Sequence, residues 1–248
     1  MTSSDTTRTE RVAKVTENLR SLVAGVESVL FDFDGPICRL FAGHRANDVA
    51  DNLVTWLEEH GLAGLLTEEE RLSGDPHVVL RAVGRSHPDS DLVTDLEARL
   101  TREELRAAAT AYPTPYVDRL IQTWSAMGVG LAVASNNSPQ VVESYLRSRR
   151  LTACFNGGIH GRTDRLRLLK PDPDCLHRAL ESLGMPAATS LMIGDTPADL
   201  YAAREAGIAF LGYGRDERRE KRLRTAGAEL VVSSLGPVVD LVWRQAQV

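Results

Sequence analysis

The sequence predicts an α/β fold: a Rossmann-like parallel sheet with helices on both faces and an inserted all-helical domain. Three observations lead there. Short apolar runs that end in polar residues recur at 29–31, 129–134, 191–193, 208–211 and 230–232. Between most of them lie segments of helical period, roughly ten to fifteen residues long, the alternation expected of parallel strands joined by crossover helices. Residues 40–112 break the alternation and carry helical patterns only.

Taken in order, residues 1–8 are polar, and Val12, Val15, Leu19, Leu22, Val23 and Val26 then fall at helical spacing. This predicts a helix over about 9–24, lying against the domain that follows. The run at 29–31 is the first strand and ends in FDFDGP. The insert reads as helices at about 45–60, 67–72, 76–85 and 91–110. Asp75-Pro76 is a helix start, an N-cap followed by proline at the first helical position. Thr101-Arg-Glu-Glu has the form of a capping box and predicts a break inside the last of these helices. Tyr112-Pro-Thr-Pro marks the return to the sheet domain. Helices are then expected at about 114–127, 139–149, 173–184, 197–206, 216–226 and 236–246. The expected organisation is a core of 1–39 and 113–248 with a helical cap of 40–112.

Composition narrows the function. With 248 residues, 43% of them hydrophobic, the chain is long enough for one large domain or a domain with an insert. The net charge of −5 leaves no basic excess, so a nucleic-acid partner is not expected. No apolar run approaches the ~18 residues of a membrane span, and the start MTSSDTTRTE lacks the apolar centre of a secretory signal. Cys38, Cys154 and Cys175 are too scattered for a disulfide framework or a CxxC metal site. A cytoplasmic protein is the expectation. Gly212-Tyr213-Gly214 follows a strand but lacks the third glycine of a dinucleotide fingerprint.

The chemistry gathers at the strand ends. In a parallel sheet, ligands bind in the crevice at the carboxyl ends of the strands. There the sequence puts Asp32 and Asp34, then Ser135 and Asn136, then Asp195. Alternate residues of an extended chain point the same way. Asp32 and Asp34 therefore face one point, which is costly unless a cation sits between them or one keeps its proton. Asp195 adds a third carboxylate, a hard-oxygen set suited to Mg²⁺. Asp199 lies one turn further on, near the start of the following helix, either as an ordinary first-turn acid or as a support for Asp195. Ser135 offers a hydrogen-bond donor. Lys170, one of three lysines in the chain, offers a counter-charge just before Pro-Asp-Pro.

These residues, in this order, resemble the haloacid dehalogenase-like superfamily in its helical-cap branch, which includes phosphoglycolate phosphatases and β-phosphoglucomutases. The resemblance covers about 28–248. It is carried by FDFDG, by Ser135 of VASNN, by Lys170 of LLKPDP, and by GDTPAD with Asp195 and Asp199. It implies a Mg²⁺-dependent phosphatase acting on a small phosphorylated metabolite through an aspartyl-phosphate. By the resemblance, Asp32 is the nucleophile. Asp34 is the general acid, and Ser135 and Lys170 meet the phosphoryl oxygens. Asp32, the backbone carbonyl of Asp34, and Asp195 hold the metal. An acid at position 34 favours phosphate esters over alkyl halides, and the absence of any lysine from 40–112 disfavours a phosphonatase. A sugar phosphomutase using the same aspartates is the alternative. A non-catalytic binding protein of the same fold is the second.

Some positions depart from the family pattern. Pro36 follows the DxDG motif, where proline fixes φ and removes an amide donor. Arg39 and Leu40 stand where an Asp-Ser pair is usual, while His44 matches a frequent family position. Arg39 and His44 are therefore expected either to be a solvated arginine and a packing histidine or to face the space between cap and core. In the second case, Arg39 would hold a second anionic group of the substrate.

Overall fold

The computed structural model describes residues 16–247. Helix α1 spans 16–23, and Leu19 and Val23 bury one side of it in the core. Residues 9–15 of the expected N-terminal helix lie outside the described residues. Strand β1 (Ser28–Phe31) follows, and then the two-residue β2 (Cys38–Arg39). Four helices come next: α2 (Ala46–Glu59), α3 (Glu68–Arg71), α4 (Pro76–Ser86) and α5 (Asp91–Ala109). Strand β3 (Tyr112–Pro113) leads back into α6 (Val117–Ala126), β4 (Gly130–Ala134), α7 (Pro139–Ser148) and β5 (Ile159–His160). The chain closes with α8 (Asp174–Leu183), β6 (Ser190–Gly194), α9 (Pro197–Glu205), β7 (Ala209–Tyr213), α10 (Glu217–Thr225), β8 (Val231–Val232) and α11 (Gly236–Gln245).

Six strands form one sheet in the order β5-β4-β1-β6-β7-β8, and every pairing in it is parallel. Strand β1 lies between β4 and β6, so the residues just past its end sit at the middle of the sheet's carboxyl edge. β1, β4 and β6 are buried at every position, which is why they read as continuous apolar runs rather than as alternating ones. Successive side chains still go to opposite faces. Val29 and Phe31 join Trp124, Leu131 and Val142 on one side of the sheet. Leu30 joins Ala132, Met192 and Leu176 on the other.

The insert has its own apolar cluster, in which Leu53, Leu57, Leu80, Leu96 and Leu100 meet Leu166 and Leu169 from the segment before α8. Asp75 caps α4 as the sequence suggests, accepting from the His77 amide at 2.9 Å. The expected break at Thr101 is absent: α5 runs unbroken from Asp91 to Ala109. Its hydroxyl donates to the Glu97 carboxylate at 2.8 Å and accepts from Arg162 at 3.0 Å, so it is turned inward and caps nothing. Strands β2 and β3 pair antiparallel, Cys38 with Pro113 and Arg39 with Tyr112. The chain therefore leaves for the insert and returns from it at adjacent points.

Candidate active site

A cavity of about 500 Å³ opens at the carboxyl edge of the sheet, beneath the insert. Asp32, Asp34, Ser135, Asn136, Lys170, Asp195 and Asp199 all line it. The turn that carries the first two aspartates is tight. The Ile37 and Cys38 amides both donate to the Phe33 carbonyl, and the Gly35 amide donates to the Cys38 carbonyl at 2.6 Å. Gly35 has φ +118°, and a Cβ there would meet the Asp195 carboxylate at 2.4 Å. Only glycine brings the β1 turn this close to the end of β6.

Lys170 is the hub. Its ammonium is buried and donates to Asp32 Oδ1 and to the Ala134 carbonyl, each at 2.8 Å. It also pairs with Asp199 Oδ1 at 2.6 Å. Burial alone would pull this lysine down, but the Asp199 and Asp32 carboxylates overrule it and raise it above its ordinary value. Asn136 clamps the lysine backbone: its Oδ1 accepts from the Lys170 amide at 2.8 Å, and its Nδ2 donates to the Lys170 carbonyl at 3.2 Å.

The carboxylates are not alike. Burial pushes Asp32 up, with the Lys170 ammonium opposing it and Asp199 adding to it. Asp34 Oδ1 accepts from the Leu40 amide at 2.8 Å. Burial, against that amide and with help from Asp32, raises Asp34 to about 6. A carboxyl near that value can both give and take a proton close to neutrality. Asp199 is saturated: besides Lys170, its Oδ2 accepts from the Asp195 amide at 3.2 Å, from the Thr196 amide at 2.9 Å and from the Thr196 hydroxyl at 2.7 Å.

Burial also holds Asp195 well above the ordinary carboxylate range, although the Arg219 guanidinium opposes this by pairing with Oδ2. Asp195 Oδ1 is buried and has no hydrogen-bond partner. Oxygens of Asp32, Asp195 and Asp199 lie within 4.8 Å of one another. An orphaned carboxylate oxygen beside two more acidic groups, all hard donors, fits a small divalent cation. Asp32 and Asp195 have the spare oxygens to hold it.

Two expected residues lie elsewhere. Neither Arg39 nor His44 lines the cavity. In the β2–β3 ribbon the side chains alternate, Cys38 inward and Arg39 outward, so Arg39 is exposed. His44 is engaged by Glu103 of α5 at 2.6 Å. The insert's contributions to the cavity include His77 and Arg81 of α4, while Arg219 and Arg222 of α10 approach from the core side. Arg81 also donates to the Lys170 carbonyl at 3.1 Å.

Behind the Ser135 loop lies a buried charge network that the sequence reading missed. Glu104 of α5 is fully buried and accepts both guanidinium nitrogens of Arg162, at 3.0 and 3.1 Å. Arg162 also donates to Glu97 and to the Asn136 carbonyl. Burial by itself would raise Glu104, but Arg162 and His77 bring it down to about 2. One signal was available. Leu96, Leu100, Glu104 and Ala107 share the buried face of α5, so Glu104 is an acid on an apolar stripe. Nothing comparable marks Arg162.

Among the described residues, no helix is long and apolar enough to cross a membrane. A phosphoglycolate phosphatase of Rhodospirillum rubrum is 30% identical over 208 residues, covering 77% of this chain and 82% of the relative. One of Pseudomonas savastanoi pv. phaseolicola is 29% identical over 203 residues, covering 77% and 71%. Among solved structures, a predicted phosphatase from Clostridium acetobutylicum aligns with TM-score 0.66 at 18% identity, over 88% of this chain and 99% of the other. CbbY from Rhodobacter sphaeroides, solved with phosphate, aligns with TM-score 0.60 at 23% identity, over 85% and 96%. At these identities the two structures speak for the fold. The sequence profile of haloacid dehalogenase-like hydrolases matches residues 26–207, and with that match the chain belongs to this hydrolase family.

Proposed function

We propose that the chain is a phosphoric monoester hydrolase, acting on a small phosphorylated metabolite by nucleophilic attack of Asp32 on phosphorus. The observation that carries this reading is Lys170, held between Asp32 and Asp199 at the sheet's carboxyl edge. A buried ammonium fixed there meets the negative charge of a phosphoryl group at the atom that attacks it. Ser135 supplies a hydroxyl donor on the same wall. The relatives' names make phosphoglycolate the first substrate to assay.

In the first half-reaction an Asp32 oxygen bonds to phosphorus and the ester P–O bond breaks. Asp34, neutral at that moment, gives its proton to the leaving oxygen. In the second, the Asp34 carboxylate takes a proton from the water that attacks phosphorus, and the bond to Asp32 breaks. Asp32 and Asp195, with the backbone carbonyl of Asp34, would hold Mg²⁺. When bound, that ion screens the repulsion between the Asp32 carboxylate and the phosphate.

A panel of phosphorylated metabolites, phosphoglycolate among them, tests the reaction. Inorganic phosphate should be released with Mg²⁺, none in excess chelator, and little with Ca²⁺, which takes more ligands at longer distances. Full activity in chelator, or no turnover across the panel, counts against the reading.

The role of Asp34 has its own test. Asp34→Asn should slow alkyl phosphates by about 10²–10⁴-fold, the usual worth of general acid–base catalysis. Aryl phosphates, whose leaving group departs without a proton, should suffer far less in the bond-breaking step. Equal losses in kcat/KM, which reports the steps through ester P–O cleavage, on both classes would place Asp34 in the metal site or the fold instead.

A further inference from the structure

The buried network behind the Ser135 loop is linked to the cavity by one continuous line of hydrogen bonds. Glu104 Oε1 accepts from Asn137 Nδ2 at 2.9 Å, and Glu104 Oε2 accepts from the Ser138 amide at 3.2 Å. Asn137 Oδ1 in turn accepts from the Ser135 hydroxyl at 3.1 Å, and the Asn137 amide donates back to Ser135 Oγ at 3.3 Å. Asn137 and Ser135 are both buried.

The orientation of the Asn137 side chain is forced. An ionised carboxylate only accepts, so the amide nitrogen must face Glu104 and the carbonyl must face Ser135. Arg162 keeps Glu104 ionised, and with it the direction of the whole line. Stability alone does not account for this arrangement. Glu104 stands on an apolar face of α5, and a buried ion pair replaced by well-packed apolar groups is often no less stable. Asn137 sits between the pair and the serine, where a plain salt bridge would need nothing.

We propose that Asn137 and Glu104 are positioning residues for the phosphoryl site. Through Asn137, a carboxylate carried by the inserted helix α5 fixes Ser135 Oγ at the point where it meets a phosphoryl oxygen. Asn137 Oδ1 holds the hydroxyl in one rotamer before substrate arrives, and the hydroxyl hydrogen then turns from it to the phosphoryl oxygen with Oγ already in place. The seating of the insert and the grip on the phosphate are thereby coupled. This inference rests on the proposed contact between Ser135 and the phosphoryl group.

The test is a double-mutant cycle on the full chain, with kcat and KM for an aryl phosphate at saturating Mg²⁺ and the Tm of each variant. Ser135→Ala is expected to lower kcat/KM by about 10²-fold, the scale for losing one oriented donor. Asn137→Ala is expected to lower it by about 10-fold, since it removes orientation and leaves the hydroxyl. The Ser135→Ala/Asn137→Ala protein should match Ser135→Ala within about twofold, because without the hydroxyl nothing remains to be positioned. A purely structural asparagine would instead lower Tm and give losses that multiply in the double variant. Multiplying losses, or wild-type kcat/KM in Asn137→Ala, overturn the positioning role while leaving the Ser135 contact standing. Wild-type kcat/KM in Ser135→Ala overturns the contact itself and the inference with it. If Asn137→Ala does not fold, Asn137→Ser enters the same cycle under the same criterion.

Discussion

Replacing Asp32 by asparagine is expected to leave a folded protein whose phosphatase rate falls by at least about four orders of magnitude. The scale follows from losses seen when a covalent catalyst is deprived of its nucleophile. An amide is a far weaker nucleophile than a carboxylate and a poorer partner for a hard cation. The fold should survive, because an amide oxygen can still accept the hydrogen bond from Lys170. That ammonium also keeps Asp199 and the Ala134 carbonyl. The measurement is phosphate release by protein freed of host phosphatases, beside circular dichroism of the same sample. Substantial turnover by folded Asp32→Asn would remove the covalent mechanism.

The second large effect is on stability. Arg162→Met leaves Glu104 buried without its main counter-charge, and breaking a buried pair from one side costs about 3–5 kcal/mol. Domains of this kind are stable by about 5–15 kcal/mol, so the denaturation midpoint should fall markedly. Adding Glu104→Met should restore much of the loss, because no lone charge then stays buried. The effect has a definite pH signature. Glu104 is held at about 2 in the folded protein, below its ordinary 4.5. Its contribution is fully present above the ordinary value and is lost as pH falls toward the folded one. The difference between wild type and Arg162→Met should therefore shrink between about pH 4.5 and pH 2. A difference that stays constant across that window would mean that Glu104 is not the group responsible.

The core was legible because its strands are buried on both faces. The runs at 29–31, 129–134 and 191–193 have no polar alternation to blur them, and each leads into a residue of the site. The paired strands at 38–39 and 112–113, and β5 at 159–160, went unseen because Cys-Arg, Tyr-Pro and Ile-His make no apolar run, whereas the equally short β8 stands in one at 230–232. The capping-box reading at Thr101 failed because Arg162, more than sixty residues away, gives that hydroxyl a better use than ending a helix. Separation along the chain, 33 residues between Glu104 and Asn137, likewise hid the Glu104–Asn137–Ser135 line. Local pattern exposes residues that stand just past their own strand end, such as Asp32, Ser135 and Asp195. It is blind to pairs that meet only when the insert closes over the sheet. Arg39 illustrates the converse: of the two readings its place between strand and insert allowed, the solvated arginine is the one the two-residue ribbon produces, by turning the side chain outward.

That ribbon has an architectural consequence. Because Cys38 faces Pro113 and Arg39 faces Tyr112, the core holds the ends of residues 40–111 side by side, as a hairpin holds its turn. Loop-closure entropy rises only with the logarithm of length, about 0.6 kcal/mol per doubling. The sheet domain is thus nearly indifferent to how much chain hangs between those two points, and inserts of other sizes fit the same joint at little cost. The freedom is checked in one place. Arg162 belongs to the sheet domain, yet its deepest partner, Glu104, belongs to the insert. A transplanted insert without an acid at that position would leave a guanidinium stranded in the interior. Recombination at this joint is open to the backbone and restricted by a single buried charge.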